Sequence, residues 1–302
     1  MERTVLSTQD LAAIFGVNVS TVKRWADSGQ LACIKTPGGH RRFRMNDVHV
    51  FLNDRGTSLK SVFDIPTQTG HQQLDTAIRE QDWDWLQDHV ASSAIAGTTQ
   101  DIVTIFNAMY ANGVHPAMQC DFVVSGALEK VGIAWEENTI SVADEHLATH
   151  AIRYALDEIG VRWSPLREAP FTALCASFAR ELHEMACECV RRVLQHEGWD
   201  VIVLGADTPT DSIISAIERH RPHLVAISVT MPPDVAVFSA DMKRIAESAE
   251  VYGGRTIVGG QAIVGSVRRS LPKNVEPIAD MDMLVDYALD RFGEHVMARS
   301  GR

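Results

Sequence analysis

The spacing of apolar residues divides the chain into regions with different periods. Residues 1–56 hold short amphipathic stretches broken by glycine and polar residues, and residues 74–163 show only helical spacing. Residues 164–302 alternate short apolar runs with helical segments. Apolar strands separated by helices favour a parallel sheet that is covered on both faces. The pattern therefore predicts a multidomain protein of α and α/β class, in which a small module and a four-helix bundle precede a parallel-sheet domain.

The first region has the pattern of a winged helix-turn-helix. Ser7 is placed to cap a helix that stops at Gly16, and a second helix is predicted over 18–27. A hairpin around a Pro-Gly-Gly turn is predicted over 31–44, and a third short helix over 48–52. Two short helices joined by a turn, with a hairpin behind them, form a fold that reads DNA through its second helix.

The remaining elements are predicted from the same patterns. Residues 57–73 have little periodicity and several Gly, Ser, Thr and Pro residues, which predicts a linker. The bundle helices are predicted at 74–90, 98–112, 116–133 and 141–159. The strands are predicted at 172–176, 201–205, 224–228 and 256–258. The helices that connect them are predicted at 181–197, 210–219 and 234–249. Ligands of such sheets bind at the carboxyl ends of the strands.

The charge is distributed unevenly. The whole chain carries a net charge of −11, but residues 1–60 hold nine Lys and Arg against five Asp and Glu, while the rest holds 19 against 34. A basic module carried by an acidic body fits a protein whose N-terminal part meets phosphates. The five cysteines form no C-x-x-C pair, so neither a disulfide framework nor a cysteine-rich metal sensor is indicated. Since no apolar run is long enough to cross a membrane, we expect a cytoplasmic protein without a membrane partner.

Polar and basic side chains lie where a helix-turn-helix would contact DNA. They occupy the second helix and the tip of the hairpin: Ser20, Thr21, Lys23, Arg24, His40, Arg41 and Arg42. The alternative is that the arginines belong to a solvated basic hairpin. The run from Ser7 to Leu52, with T-P-G-G-H-R-R-F from Thr36 to Phe43, is similar to the DNA-binding domain of the MerR family. No sustained heptad follows it, so this chain differs from the members that continue into a dimerising coiled coil.

The sheet domain carries small or polar residues after several strands. Glu181-Leu182-His183 follows the first strand, and an exposed histidine at a helix start is the simplest interpretation. An H-E-x-x-H zinc motif is excluded because Cys187 stands where its second histidine would be. Further along come Gly205-Ala206-Asp207, Ser228-Val229-Thr230 and Gly259-Gly260. Small residues at strand ends leave room for a long ligand to approach the backbone.

Together, and in this order, these segments resemble the Rossmann-like cobalamin-binding domain shared by methionine synthase, the mutases and corrinoid carriers. The family pattern is D/E-x-H-x-x-G, a later S-x-L or S-x-T, and G-G. Ala186 stands where the family usually has its first glycine. The resemblance implies that His183 is the lower axial ligand of cobalt. It also implies that the pocket for the nucleotide tail of the cofactor is lined by Ser228, Thr230, Gly259 and Gly260.

The bundle carries Trp135 followed ten and eleven residues later by Glu145 and His146. Taken alone, Trp135 indicates a core aromatic, and His146 with His150 four residues further on indicates at most half a metal site. W-x9-E-H between a MerR-type module and a cobalamin domain resembles the CarH-type light-sensing repressors, over a span from Val5 to Phe292. The resemblance implies that Trp135, Glu145 and His146 form a cap over the adenosyl face of the cofactor. Members of that group can carry a cobalt-binding histidine directly after the tryptophan, where this chain has Glu136.

These resemblances lead to one leading hypothesis. The chain is expected to be a cobalamin-dependent, light-responsive transcriptional repressor and not an enzyme. Adenosylcobalamin would stabilise a dimer or tetramer that binds operator DNA, and light would release the DNA. The main alternative is a MerR-type repressor that keeps the cobalamin fold but is controlled by another ligand or a protein partner. A corrinoid methyl carrier is a further alternative, which the basic helix-turn-helix disfavours.

Overall fold

The computed structural model describes residues 5–8, 11–12, 15, 17–35, 41–44, 48, 51, 72–163 and 171–289. The chain divides into two compact units, one that ends at Arg162 and one that runs from Trp163. The described residues include no helix that combines the length and the apolar character needed to cross a membrane.

The N-terminal module is a small three-stranded sheet packed with helices. Its elements are β1 (Val5–Ser7), α1 (Val19–Asp27), β2 (Ile34–Lys35) and β3 (Arg41–Arg44). The strands are antiparallel in the order β1-β3-β2. Leu11, Val22, Leu31 and Phe43 are fully buried between them. The predicted hairpin is present, although β2 is shorter than predicted and β1 was not predicted; the turn residues 36–40 lie outside the described residues.

Trp25 projects from α1 into this core, as its apolar side chain predicts. Its ring lies 4.9 Å from that of Phe51 and 5.8 Å from that of Phe15, measured between centroids. Aromatic pairs at these separations add to the stabilisation from buried area. The packing leaves the opposite face of α1 to solvent.

The bundle consists of helices only. They are α2 (Gln72–Glu80), α3 (Trp83–Ile95), α4 (Thr99–Ala111), α5 (Pro116–Met118), a π-helical stretch (Gln119–Val124), α6 (Ser125–Glu136) and α7 (Val142–Trp163). Its core contains Leu86, Ile102, Phe106, Met109, Ile152, Leu156 and Ile159, all almost completely buried. Lys130 of α6 holds Asp84 and Asp88 of α3 at 2.6 Å each, which ties these two helices together at the surface.

The first predicted bundle helix, 74–90, was wrong as a single element, because the chain breaks between α2 and α3. Gln81 adopts the left-handed conformation with φ of 55°. Asp82 then caps α3, because its carboxylate accepts the backbone N–H of Trp85 at 3.1 Å. The apolar spacing continues across the break, which explains why periodicity alone did not reveal it.

The sheet domain alternates strands and helices. Its strands are β4 (Thr172–Ser177), β5 (Asp200–Gly205), β6 (Leu224–Ser228), β7 (Arg255–Gly259) and β8 (Val275–Pro277). Its helices are α8 (Met185–His196), α9 (Thr210–His220), α10 (Val235–Val251), α11 (Gly265–Arg269) and α12 (281–289). The sheet is parallel in the order β5-β4-β6-β7-β8, and the buried side chains of β4, β6 and β7 pack against α9 and α10.

Two features of this domain position the site. The strand order reverses between β4 and β6, which in doubly wound sheets opens a crevice at the carboxyl ends of those strands. The helix predicted over 181–197 begins only at Met185, so that prediction was wrong at its start. Residues 181–184 therefore form a loop beside the crevice, and the carboxylate of Glu181 determines the shape of this loop.

Candidate functional site

The crevice has a floor of small residues in register. Ser177 at the end of β4 pairs with Ser228 at the end of β6, and Ser228 pairs with Gly259 at the end of β7. This row brings together three segments that lie far apart in the sequence. The motif residues after β4, β6 and β7 therefore share one edge of the sheet.

Glu181 joins the two loops that border the crevice. Its side chain is only 3% exposed, and one carboxylate oxygen accepts the backbone N–H of His183 at 2.9 Å. The other oxygen accepts the backbone N–H groups of Thr230 and Met231, at 2.6 and 2.7 Å. Burial opposes ionisation of this carboxyl group, but the N–H groups that point at it outweigh burial and lower the pKa of Glu181. The group is therefore an ionised anchor between the loop after β4 and the loop after β6.

His183 lies on the loop with its imidazole directed by that anchor. Its Nδ1 is 2.5 Å from the Glu181 carboxylate, and its side chain is 60% exposed. An ionised carboxylate only accepts hydrogen bonds, so Nδ1 is the donor, and in the neutral imidazole Nε2 then carries the lone pair. The Ser177 hydroxyl also donates to the backbone carbonyl of His183 at 2.9 Å. This is the arrangement in which histidines bind metals: one nitrogen is held by a carboxylate and the other is open to a ligand.

Ser228 offers an unused polar group at the same edge. Its residue is buried, and its Oγ has no hydrogen-bond partner among the described residues. A buried hydroxyl without a partner is costly, so it favours a ligand or a water that supplies one. Thr230 lies two residues further on, and its backbone is fixed by Glu181. The chemistry of this edge, with one open imidazole nitrogen and one unpaired buried hydroxyl, fits a cofactor that carries both a metal and a polar tail.

Gly259 ends β7 and Gly260 follows it, and contacts within the fold account for both glycines. A Cβ at Gly260 would lie 2.3 Å from the carbonyl oxygen of Val229, and its φ of 113° suits only glycine. A Cβ at Gly259 would lie 3.1 Å from the carbonyl oxygen of Ile278. The close approach at Gly260 is thus made by the protein's own backbone, and passage of a cofactor tail at this point stays a prediction.

The predicted cap residues lie on either side of the turn between α6 and α7. Trp135 is the penultimate residue of α6 and is 46% exposed, so it is not the core aromatic that its residue type alone indicates. Glu145 and His146 lie in the first turns of α7. Glu145 accepts the hydroxyl of Thr149 at 3.0 Å, and its other oxygen lies 3.4 Å from His146 Nε2. Trp135 therefore presents an exposed aromatic ring at the end of α6, and the Glu145–His146 pair lies near the start of the next helix; that the three residues form one cap stays a prediction.

The two departures from the family patterns lie at exposed positions. Glu136 is the last residue of α6 and is open to solvent. Ala186 is the second residue of α8 and is partly exposed. Neither side chain is built into a core, so both are free to face a ligand.

The N-terminal module presents the predicted DNA-contacting residues of α1 on its outer face. Ser20, Lys23 and Arg24 are exposed, Thr21 is half-buried, and between them Val22 packs inward. Arg41 differs from this pattern: its guanidinium is only 19% exposed and lies 2.5 Å from the Asp27 carboxylate at the end of α1.

Arg41 therefore clamps the hairpin onto α1, and its contact with DNA stays a prediction. His40 lies outside the described residues, and of Arg42 only the backbone in β3 is described.

Several contributors to the site could not be predicted from the sequence. They include the backbone N–H groups of residues 230 and 231, the hydroxyl of Ser177, and Asp207, which grips the His183 loop. Backbone donors leave no signature in residue identity. The S-x-T spacing at 228–230 was the available signal for the loop after β6.

The fold and the site define a class: a helix-turn-helix module carried on domains of the cobalamin-binding type. Residues 5–56 match the family described as a helix-turn-helix domain, and residues 171–281 match the B12 binding domain. Residues 86–159, which span most of the bundle, match a second B12 binding domain family. These matches make the chain similar to CarH-type transcription regulators that carry a cobalamin-binding domain.

The relatives of known function agree with this class. The chain is 26% identical over 265 residues to the HTH-type transcriptional repressor CarH of Myxococcus xanthus, covering 83% of this chain and 87% of that protein. It is 24% identical over 233 residues to the repressor CarA of the same organism, covering 74% and 76%. A monomethylamine corrinoid protein of Methanosarcina barkeri has the same fold, with a TM-score of 0.55, 16% identity and coverage of 70% of this chain and 98% of that one.

Proposed function

We propose that this protein is a light-responsive transcriptional repressor that acts in the cytoplasm, in which adenosylcobalamin controls oligomerisation and operator binding. The observation that carries the proposal is the Glu181–His183 pair at the switch point of the sheet. A buried, ionised carboxylate holds one imidazole nitrogen and leaves the other open at the crevice where ligands of such sheets bind.

The residues of the crevice would hold the cofactor by complementary chemistry. His183 would bind cobalt through Nε2. The Ser228 hydroxyl would gain the hydrogen bond that it lacks within the protein, as the cofactor's tail lies along the strand ends near Thr230, Gly259 and Gly260. Because Glu181 already fixes the imidazole, little ordering entropy is lost on ligation.

At the other end of the ligand, Trp135, Glu145 and His146 would contact the adenosyl face. When bound, the cofactor supplies a cobalt–carbon bond that light breaks. The exposed ring of Trp135 would pack against the adenosyl group of the bound cofactor. Glu136 stands where a second cobalt-binding histidine can occur in light-sensing relatives of this type, so this position would bind cobalt only weakly.

Binding to operator DNA would be carried out by α1. Ser20, Thr21, Lys23 and Arg24 lie on its outer side and would enter the major groove, with His40 and Arg42 as predicted contacts of the wing. A ligand shifts an assembly only by its differential affinity for the two states, so adenosylcobalamin must bind the oligomer more tightly than the monomer. Oligomerisation would then raise DNA affinity by placing several modules on one operator.

The experiment measures the size of the assembly in darkness and after illumination. The purified full-length chain is mixed with adenosylcobalamin in darkness and passed through size-exclusion chromatography with light scattering, before and after green illumination. We expect a dimer or tetramer in darkness and a smaller species after light. The His183→Ala variant is the matched control and should show weak retention of the cofactor and no light-dependent change.

Two results would contradict the proposal. A chain that keeps its size with and without cofactor is not controlled by cobalamin through assembly. Regulation of a reporter that persists unchanged in the His183→Ala variant would favour a repressor controlled by another ligand or a protein partner.

A further inference from the structure

Two residues with left-handed backbone conformation face each other beside the His183 loop. Arg180, in the loop after β4, has φ of 66°, and Asp207, in the loop after β5, has φ of 44°. Residues other than glycine rarely adopt this conformation, and aspartate tolerates it better than arginine. Both loops therefore bend at positions that only surrounding contacts can hold in place.

Asp207 is hydrogen-bonded to the loop after β4 through its carboxylate and its backbone N–H. Its carboxylate accepts the backbone N–H of Arg180 at 2.6 Å. Its own backbone N–H donates to the carbonyl oxygen of Glu181 at 2.8 Å. Thr208, the next residue, adds a third link because its N–H donates to the carbonyl oxygen of Ser177 at 3.3 Å. Asp207 thus holds two consecutive residues, 180 and 181, from both sides of the peptide that joins them.

Glu181, one of the two residues that Asp207 holds, is the residue that positions His183. The Glu181 carboxylate positions both the backbone N–H and the Nδ1 of His183, and it also reaches across to Thr230 and Met231. Any rotation of the peptide at 180–181 would move the Glu181 side chain and, with it, the imidazole. A continuous path of contacts therefore runs from Asp207 through Glu181 to His183.

We infer that Asp207 is a positioning residue that presets the His183 loop for ligation of cobalt. The inference rests on the proposed function, since it concerns the same site. It adds a residue outside the crevice: the loop after β5, which lies on the far side of β4 from the crevice, sets how readily His183 binds metal. Loss of one hydrogen bond of this kind should weaken the ligated state about three- to tenfold.

The variants separate the side chain from the backbone conformation. Asp207→Gly keeps the left-handed conformation and the N–H group but removes the carboxylate. Asp207→Asn keeps both the conformation and an acceptor oxygen. Asp280→Gly is the matched control, because the Asp280 carboxylate also accepts one backbone N–H, that of Met283 at 2.7 Å, and follows β8 at the opposite edge of the sheet.

Aquacobalamin is titrated into each full-length variant, and the absorbance spectrum reports the affinity and the fraction of cobalt bound by imidazole. We expect Asp207→Gly to lose about three- to tenfold in affinity and to show a smaller imidazole-bound fraction. The Asp207→Asn and Asp280→Gly variants should match the wild type. In a His183→Ala background the effect of Asp207→Gly should disappear, because Asp207 acts through the imidazole.

A second readout needs no cofactor. Amide hydrogen exchange of the cofactor-free chain should accelerate at Arg180 and His183 in Asp207→Gly and stay unchanged in Asp280→Gly. Unchanged exchange at both residues, unchanged affinity, or a loss of affinity that persists in the His183→Ala background would overturn the inference. Failure of the wild type itself to bind aquacobalamin through imidazole would instead refute the proposed function, and the positioning role with it.

Discussion

Replacement of Glu181 by glutamine should destabilise the sheet domain even without any ligand. The carboxylate accepts the N–H groups of Thr230 and Met231 on one oxygen, and the N–H and Nδ1 of His183 on the other. Glutamine has one carbonyl oxygen, so its NH2 group must face one of these pairs of donors. Two hydrogen bonds to a charged acceptor are lost, which predicts a decrease of about 3 kcal/mol in the free energy of unfolding.

Urea unfolding followed by circular dichroism measures this change directly. Glu276→Gln is the matched control, because Glu276 is an exposed carboxylate of β8 in the same domain. We expect that control to unfold as the wild type does. If Glu181→Gln and Glu276→Gln unfold at the same urea concentration, Glu181 does not hold the two loops together and the reasoning about the site is wrong.

Three further predictions follow from the described contacts. The lowered pKa of Glu181 means that its stabilising effect is complete above its ordinary value of 4.5 and is lost as the pH falls towards the lowered pKa. Acidification from neutral pH should therefore destabilise the wild type more than Glu181→Gln, as thermal unfolding at several pH values would show; equal losses would contradict this. In binding to mixed-sequence duplex DNA at increasing salt, Lys23→Ala should lower the slope of log affinity against log salt by about 0.9, the value for one phosphate contact. Arg41→Ala tests whether Arg41 contacts DNA in addition to its pair with Asp27: a loss of about 0.9 in the slope would show the predicted phosphate contact, and an unchanged slope would contradict it. Arg221 ends α9 in the left-handed conformation with φ of 47°; Arg221→Gly should therefore be as stable as the wild type, while Arg221→Val should lose about 1 kcal/mol in thermal unfolding.

Much of the sheet could be predicted because apolar strands have sharp boundaries. The strand at 224–228 has the predicted limits, since Pro222 precedes it and a serine ends its apolar run. β8 was missed because a three-residue strand that ends in proline has no usable pattern. The break at Gln81 was missed for a different reason, because a left-handed residue interrupts the helix without interrupting the apolar spacing.

In the site, too, some features could be predicted from the sequence and others could not. The position of His183 beside the crevice follows from its place after the first strand of a parallel sheet. Its tautomer does not, because it depends on a carboxylate whose ionisation is stabilised by backbone N–H groups from a loop almost fifty residues away. Arg41 shows a further limit: the sequence predicts a DNA contact at the wing, but it gives no sign of the ion pair with Asp27 that the fold adds.

The most direct test of the central claim is equilibrium dialysis of the full-length chain against adenosylcobalamin in darkness, with absorbance spectra of the retained cofactor. We expect about one cobalamin per chain, in line with a single His183 crevice, with a spectrum typical of imidazole-bound cobalt and loss of retention in His183→Ala. A wild-type chain that retains no cobalamin, or that retains it equally well without His183, would contradict the account.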